Sequence, residues 1–318
     1  MAYACNLLWK DIMPSLRHHM IWALLRLSGF RFRMEKDVRN GTVIRNRPPA
    51  SLKSRIKKET FEGHNIWRIQ PDNFVSPPPA KTLYHLHGGG HVYGVLSLHF
   101  KVLAQLADLA QAEIILPCYP LPPDYEAGGV NTFCRNHFAH IAAQKGLENI
   151  TLSGDSAGAG LALILSAYRR DAGLVNPERL ILWSPWVNLA MDHAESDAYN
   201  KCALLDLEGL RVAALRYAGA LGVDHPEVSA ASGDMTNLPN MTIFTGDRDL
   251  LFPDIRDFAE NVRLANQKAT QKAGPQDRLS GRGEVDLRIA KDMGHYWMFF
   301  PQKEAKPTLL ESAALISG

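Results

Sequence analysis

Long apolar runs are missing from this sequence: nowhere in its 318 residues does one approach the roughly 18 positions that a membrane-spanning helix needs. Cysteine is scarce. Cys5, Cys118, Cys134 and Cys202 are scattered with no C-x-x-C spacing, which argues against a zinc site or a disulfide framework and fits a reducing, cytoplasmic compartment. An excess of charge is lacking too, since 35 Lys and Arg face 33 Asp and Glu for a net charge of +2, so nucleic acid is not an expected partner. The N-terminus has no basic region followed by a continuous apolar one, and no signal peptide is expected. The apolar share of 46% and charged share of 21% are ordinary for a soluble globular enzyme.

What the chain does have is alternation. Residues 55–61 and 66–70, around a turn at Gly63-His64-Asn65, predict an antiparallel hairpin. Strands at 82–87, 113–117, 149–153 and 179–183 then alternate with helices at 98–112, about 130–144 and 156–170. After an interruption come a strand at 241–245, a helix at 254–265, a strand at 285–290 and a C-terminal helix from about Thr308. Such an order implies an α/β fold with a mostly parallel sheet covered on both faces. The helix after Ser156 is apolar nearly all round and should be buried in the middle.

Three segments stand outside this rhythm. Residues 6–28 carry Trp9, Ile12, Leu16, Met20, Ala23, Leu24 and Leu27 at helical spacing around Pro14, with Lys10, Arg17, His18, His19 and Arg26 between them. One or two amphipathic helices laid over the mouth of the domain are expected; the basic polar face makes a membrane surface the alternative. Residues 30–58 read as a basic linker. The interruption at 186–238 holds one clear helix, with Leu207, Leu210, Ala214, Tyr217, Ala218 and Leu221 on one face, and has the look of a lid. The polar stretch 267–283 reads as a mobile surface loop.

Acyl transfer requires a nucleophile, a base, a group to hold the base and donors for the oxyanion. Gly154-Asp155-Ser156-Ala157-Gly158 at a strand-to-helix junction has the pattern of a nucleophile elbow with Ser156 attacking, its flanks kept small by Gly. His87-Gly88-Gly89-Gly90 closes an earlier strand and exposes bare backbone, so Gly89 and Gly90, with Ala157 after the nucleophile, are the expected oxyanion donors. The acid lies among Asp247, Asp249 and Asp254, with Asp249 preferred because Asp254 suits a helix cap and Asp247 a turn. His295 follows the last strand and is the expected base. A metal site at His85, His87 and His91 is not expected, because no carboxylate or Cys completes the set.

Taken together, H-G-G-G-H-V-Y-G (87–94), Y-P-L-P-P (119–123), G-D-S-A-G (154–158), S-P-W-V-N-L (184–189), G-D-R-D-L-L-F-P-D (246–254) and G-H (294–295) resemble the hormone-sensitive-lipase-like family of α/β-hydrolases over residues 55–300. The resemblance implies an eight-stranded sheet, a helical cap and carboxylesterase activity without a cofactor. It divides the chain into N-terminal cap helices and linker (1–50) and a catalytic domain (51–318) with a cap insertion at about 186–238. Two departures are the lengthened spacing between Asp249 and His295 and the crowding of Asp in the acid motif.

The expected reaction is hydrolysis of small or short-chain esters through Ser156, His295 and Asp249, with Tyr93, Trp186 and Trp297 as candidate pocket residues. An amide or formamide hydrolase, or an inactive receptor on the same fold, are the alternatives. Partners beyond a small ester are few: a membrane is not expected, and a second copy could pair along the strand at 285–290 if it lies at the sheet edge.

Overall fold

A computed structural model describes residues 14–40, 47–72, 80–272 and 283–318. Strands β1 (Ile56–Phe61), β2 (His64–Ile69), β3 (Thr82–Leu86), β4 (Glu113–Pro117), β5 (Ile150–Asp155), β6 (Arg179–Trp183), β7 (Asn240–Gly246) and β8 (Val285–Ala290) form one eight-stranded sheet. Their order is β1-β2-β4-β3-β5-β6-β7-β8, antiparallel through β1, β2 and β4 and parallel from there on. The strands expected at 113–117, 179–183 and 285–290 fall on those residues, and β8 is the last strand at one edge.

Period-two alternation sends side chains to opposite faces. In β6, Leu180 and Leu182 join one core while Ile181 and Trp183 join the other. The first core is completed by helices α4 (Ala127–Lys145), α5 (Ala157–Asp171), α7 (Leu207–Ala218) and α8 (Phe252–Lys272), the second by α3 (Ser97–Ala110) and α9 (Ala305–Ser317). Fully burying a Leu, Ile or Phe contributes about 1.5–3 kcal/mol, and α5 is buried at every position from Ala157 to Ser166, as its apolar run predicts. Between β6 and α7 lies a single short turn of helix, α6 (Ser196–Tyr199).

Several expectations need correction. The supposed linker at 30–58 contains a helix, α2 (Arg33–Arg39), whose Met34 and Val38, four positions apart, are buried while Arg33, Lys36 and Arg39 face out. Two apolar residues among seven were too few to register as a periodic pattern. Helix α8 starts at Phe252, so Asp254 lies in its first turn and does not cap it; Asp254 accepts a hydrogen bond from Asn188 Nδ2 at 2.9 Å. The same helix runs on to Lys272 through residues assigned to the polar loop, because Gln, Lys and Ala are good helix formers with no need of an apolar face. The remainder of that loop, 273–282, lies outside the described residues.

Helix α1 (Leu16–Leu27) departs from expectation in orientation. Trp9 and Ile12 lie outside the described residues. Ser15 caps the helix by accepting from the His18 amide. It packs inward through His18, which meets Gln302 Oε1 at 3.1 Å, and Trp22, whose ring lies 5.9 Å from that of Phe300. The Leu16, Met20, Leu24 and Leu27 stripe, the face expected to cover the domain, points to solvent. Polar anchors on the other face fix this rotation.

Candidate active site

Strands β3, β5, β7 and β8 are parallel, so the loops that follow them meet along one edge of the sheet. At the centre, Ser156 leaves β5 with φ 50° and ψ −118° and α5 begins at the next residue. A positive φ is costly for a side-chain-bearing residue. Here the Ser156 amide donates to Trp183 O at 2.8 Å and its carbonyl accepts from Trp186 at 2.9 Å, which hold the turn. The flanking glycines are obligatory, since a Cβ on Gly158 would stand 2.1 Å from Leu86 O and one on Gly154 2.4 Å from Gly158 O. Both contacts are with backbone, which cannot swing aside.

The loop after β3 runs beside this elbow. Gly89 and Gly90 adopt φ 116° and 62°, and Val92 and Tyr93 donate their amides to Gly89 O at 3.0 and 2.9 Å. Ala157 is the first residue of α5, where helix N–H groups have no partner within the helix and carry the positive end of its dipole.

Of the three aspartates, Asp249 alone reaches the histidine. Its Oδ2 lies 2.9 Å from His295 Nδ1, both side chains are buried, and its Oδ1 accepts from the Leu251 amide at 3.0 Å. Asp247 instead accepts from the Asp292 amide at 2.6 Å and ties the two loops together. With Nδ1 committed to a carboxylate, His295 keeps Nε2 for a proton on the other side of the ring.

Sequence reasoning missed a buried network behind Ser156. Asp155 is wholly buried; its Oδ1 lies 2.9 Å from His85 Nε2, its Oδ2 3.2 Å from His99 Nε2, and the Tyr296 hydroxyl donates to that same Oδ2. His85 Nδ1 meets Ser153 Oγ at 2.8 Å. Burial alone would raise the Asp155 pKa, but His99 and His85 outweigh it and hold the carboxyl well below the usual range. Burial lifts the Tyr296 phenol and Asp155 pushes it further, while a hydrogen bond with Ser156 opposes them. The signal was available: a carboxylate at the end of a fully buried central strand must find partners, and His85 is the register neighbour of Ser153.

The histidines considered as a metal set do not converge. His85 turns to Asp155, His87 stacks on Tyr119 at 4.2 Å, and His91 stacks on Tyr217 of α7 at 3.6 Å. Burial is the main cause that pushes His87 and His91 down to about 3, helped by His99 and His87 respectively, so both are neutral. Among the described residues no group of His, Cys, Asp and Glu could hold a metal ion.

The expected pocket residues separate. Tyr93 is buried and donates to Asp37 Oδ2 of α2 at 2.7 Å, and Trp186 lies 6.0 Å from the His91 ring. Trp297 is a correction: it belongs to the second core with α3 and α9, because Tyr296 at φ 65° turns the chain and drives residues 297–299 inward. Above the Gly loop, Met34 of α2 packs so closely on Gly90 that a Cβ there would lie 2.8 Å from its Cε. A cleft of about 540 Å³ opens beside the acid and base loops, between Trp22 and Arg26 of α1, Lys201, Cys202, Arg248 and Gly294.

A family model described as alpha/beta hydrolase fold matches residues 83–277. The chain belongs to this family. An acetyl-hydrolase of Streptomyces hygroscopicus is 32% identical to this alpha/beta hydrolase over 205 residues, 62% of this chain and 67% of that protein. An esterase of Acinetobacter venetianus is 30% identical over 193 residues, 59% of this chain and 63% of that protein, so the chain spans about two thirds of the length of these relatives. Among solved structures, a hormone-sensitive-lipase homologue, EstE7 from a metagenome library, superposes with a TM-score of 0.76 at 22% identity, over 96% of this chain and 98% of that one. A hormone-sensitive lipase from a metagenome library gives 0.75 at 21% identity, over 94% and 97%. At such identities the likeness is one of fold. The resemblance read from the motifs and the eight-stranded α/β-hydrolase sheet are both borne out. No helix among the described residues is long and apolar enough to cross a membrane.

Proposed function

We propose that this carboxylic ester hydrolase is a serine esterase acting on small or short-chain acyl esters through Ser156, His295 and Asp249. The observation that carries the reading is the 2.9 Å contact of His295 Nδ1 with Asp249 Oδ2 on the same sheet edge as the strained Ser156 turn. His295 Nε2 takes the Ser156 proton as Oγ bonds to the ester carbonyl carbon. The carbonyl oxygen becomes an oxyanion facing the amides of Gly89, Gly90 and Ala157, each worth about 2.7–4 kcal/mol at the barrier. The tetrahedral adduct collapses, the C–O bond to the alcohol breaks, and His295 returns the proton to the leaving alkoxide. Water then attacks the acyl-enzyme by the same route and releases the acid.

The short-chain preference is supported by the helices over the Gly loop, where Met34, Tyr93, His91 and Tyr217 pack tightly around Gly89 and Gly90. A series of p-nitrophenyl esters from acetate to palmitate tests it, with Ser156→Ala as the blank. Turnover falling with chain length and vanishing in the variant is expected. Equal rates along the series would overturn the chain-length reading, faster cleavage of matched p-nitroanilides would make the enzyme an amidase, and hydrolysis surviving in Ser156→Ala would remove the nucleophile.

A further inference from the structure

Helix α1 turns its most apolar stripe away from the protein. Leu16, Met20, Leu24 and Leu27 are 77, 57, 64 and 84% exposed. At 3.6 residues per turn they fall within about 80° of the helix circumference. Exposed basic residues border the stripe on both sides, Arg17 on one and His19 and Arg26 on the other. Residues 14–34 contain no Asp or Glu at all. The first acids beyond them are engaged, Glu35 with Arg39 and Asp37 with the Tyr93 hydroxyl.

The stripe cannot be buried by rotating the helix. His18 and Trp22 hold the opposite face, His18 against Gln302 and Trp22 against Phe300 and the backbone of Gly294. Turning Leu24 inward would break those contacts. An apolar ridge flanked on each side by an arginine and free of acids, pinned parallel to the protein surface, has the charge pattern of a helix lying in the headgroup layer of a bilayer.

We propose that α1 docks this protein on an anionic lipid surface, with Leu16, Met20, Leu24 and Leu27 entering the acyl boundary and Arg17, His19 and Arg26 meeting headgroup phosphates. A second copy is the poorer occupant, because a symmetric contact would press Arg17 and Arg26 towards their own equivalents. Binding does not depend on the esterase reading, and the two can fail separately.

The test is co-sedimentation of the full chain with vesicles of phosphatidylcholine alone and with roughly one third phosphatidylglycerol. Binding to the anionic vesicles about tenfold or more tighter, weakened by salt, is expected. Leu16→Glu with Leu24→Glu, and separately Arg17→Glu, should each reduce it about tenfold or more while melting temperature and hydrolysis of a soluble ester stay unchanged. Failure of the full chain to bind anionic vesicles, or binding that survives Leu16→Glu with Leu24→Glu, overturns the proposal. So do two further outcomes: binding that appears only after residues 1–13 are deleted, which would make that segment the occupant, and a dimer that Leu24→Glu dissociates without any lipid binding.

Discussion

The ring of Tyr296 lies 4.2 Å from that of its neighbour His295, while its hydroxyl donates to Asp155, the residue before Ser156. One side chain thus fastens the loop of the proposed base to the strand that precedes the proposed nucleophile. Removing the hydroxyl leaves the ring stack in place and cuts the fastening. Tyr296→Phe should lower kcat about 10–100-fold, the equivalent of about 1.4–2.7 kcal/mol, with KM nearly unchanged. Steady-state kinetics on p-nitrophenyl acetate check it; a KM effect without a kcat effect would place Tyr296 in binding instead.

The three neighbouring aspartates separate by mutation. Asp249→Asn keeps the shape but offers His295 an amide where it needs an anion, and kcat should fall on the order of 10⁴-fold. Asp247→Asn and Asp254→Asn should stay within about tenfold of the parent, since one holds the Asp292 amide and the other Asn188. Parallel kinetics on the three variants decide the matter.

Acid should destabilise the fold through its buried neutral histidines. His87 and His91 have folded pKa values of about 3, so below about 6.5 the unfolded chain takes up protons that the native state refuses. Stability from each is fully present above about 6.5 and falls by about 1.4 kcal/mol per pH unit as pH drops towards 3. Urea unfolding at about pH 5.5 and 4.5, inside that window, measures the slope. His91→Phe, which can still stack on Tyr217, should reduce that slope by about 1.4 kcal/mol per unit whatever its effect on the level.

Gly158→Ala places a methyl 2.1 Å from the Leu86 carbonyl oxygen. Overpacking against backbone costs about 1–3 kcal/mol or more, so the melting temperature should drop sharply and activity with it. Gly128→Ala in α4, where the added methyl meets no atom within 4 Å beyond its own helix backbone and chain neighbours, is the control and should lower neither.

How legible was this in the sequence? Strands such as Arg179–Trp183 announce themselves because they are buried on both faces and end in turn residues. Ser156, Asp249 and His295 were singled out because each follows a strand with its own local grammar, and the parallel sheet brings the loops that hold them to one edge. The Asp155 network was not found, for its members come from β3, α3, β5 and the loop after β8, and no local pattern links His85, His99 and Tyr296. Helix α1 was legible in its periodicity and illegible in its direction. Apolar spacing reports which residues share a face, while the face that docks was chosen by contacts with partners far along the chain, His18 with Gln302 and Trp22 with Phe300.

Met34 on Gly90 and Asp37 on Tyr93 join the N-terminal segment to the loop expected to receive the oxyanion. The segment is therefore a wall of the proposed site, although it precedes the first strand. A chain shortened past residue 40 loses both contacts at once. Its kinetics would then report a slackened donor loop, and differences in substrate choice between shortened and full-length enzyme would say little about pocket shape.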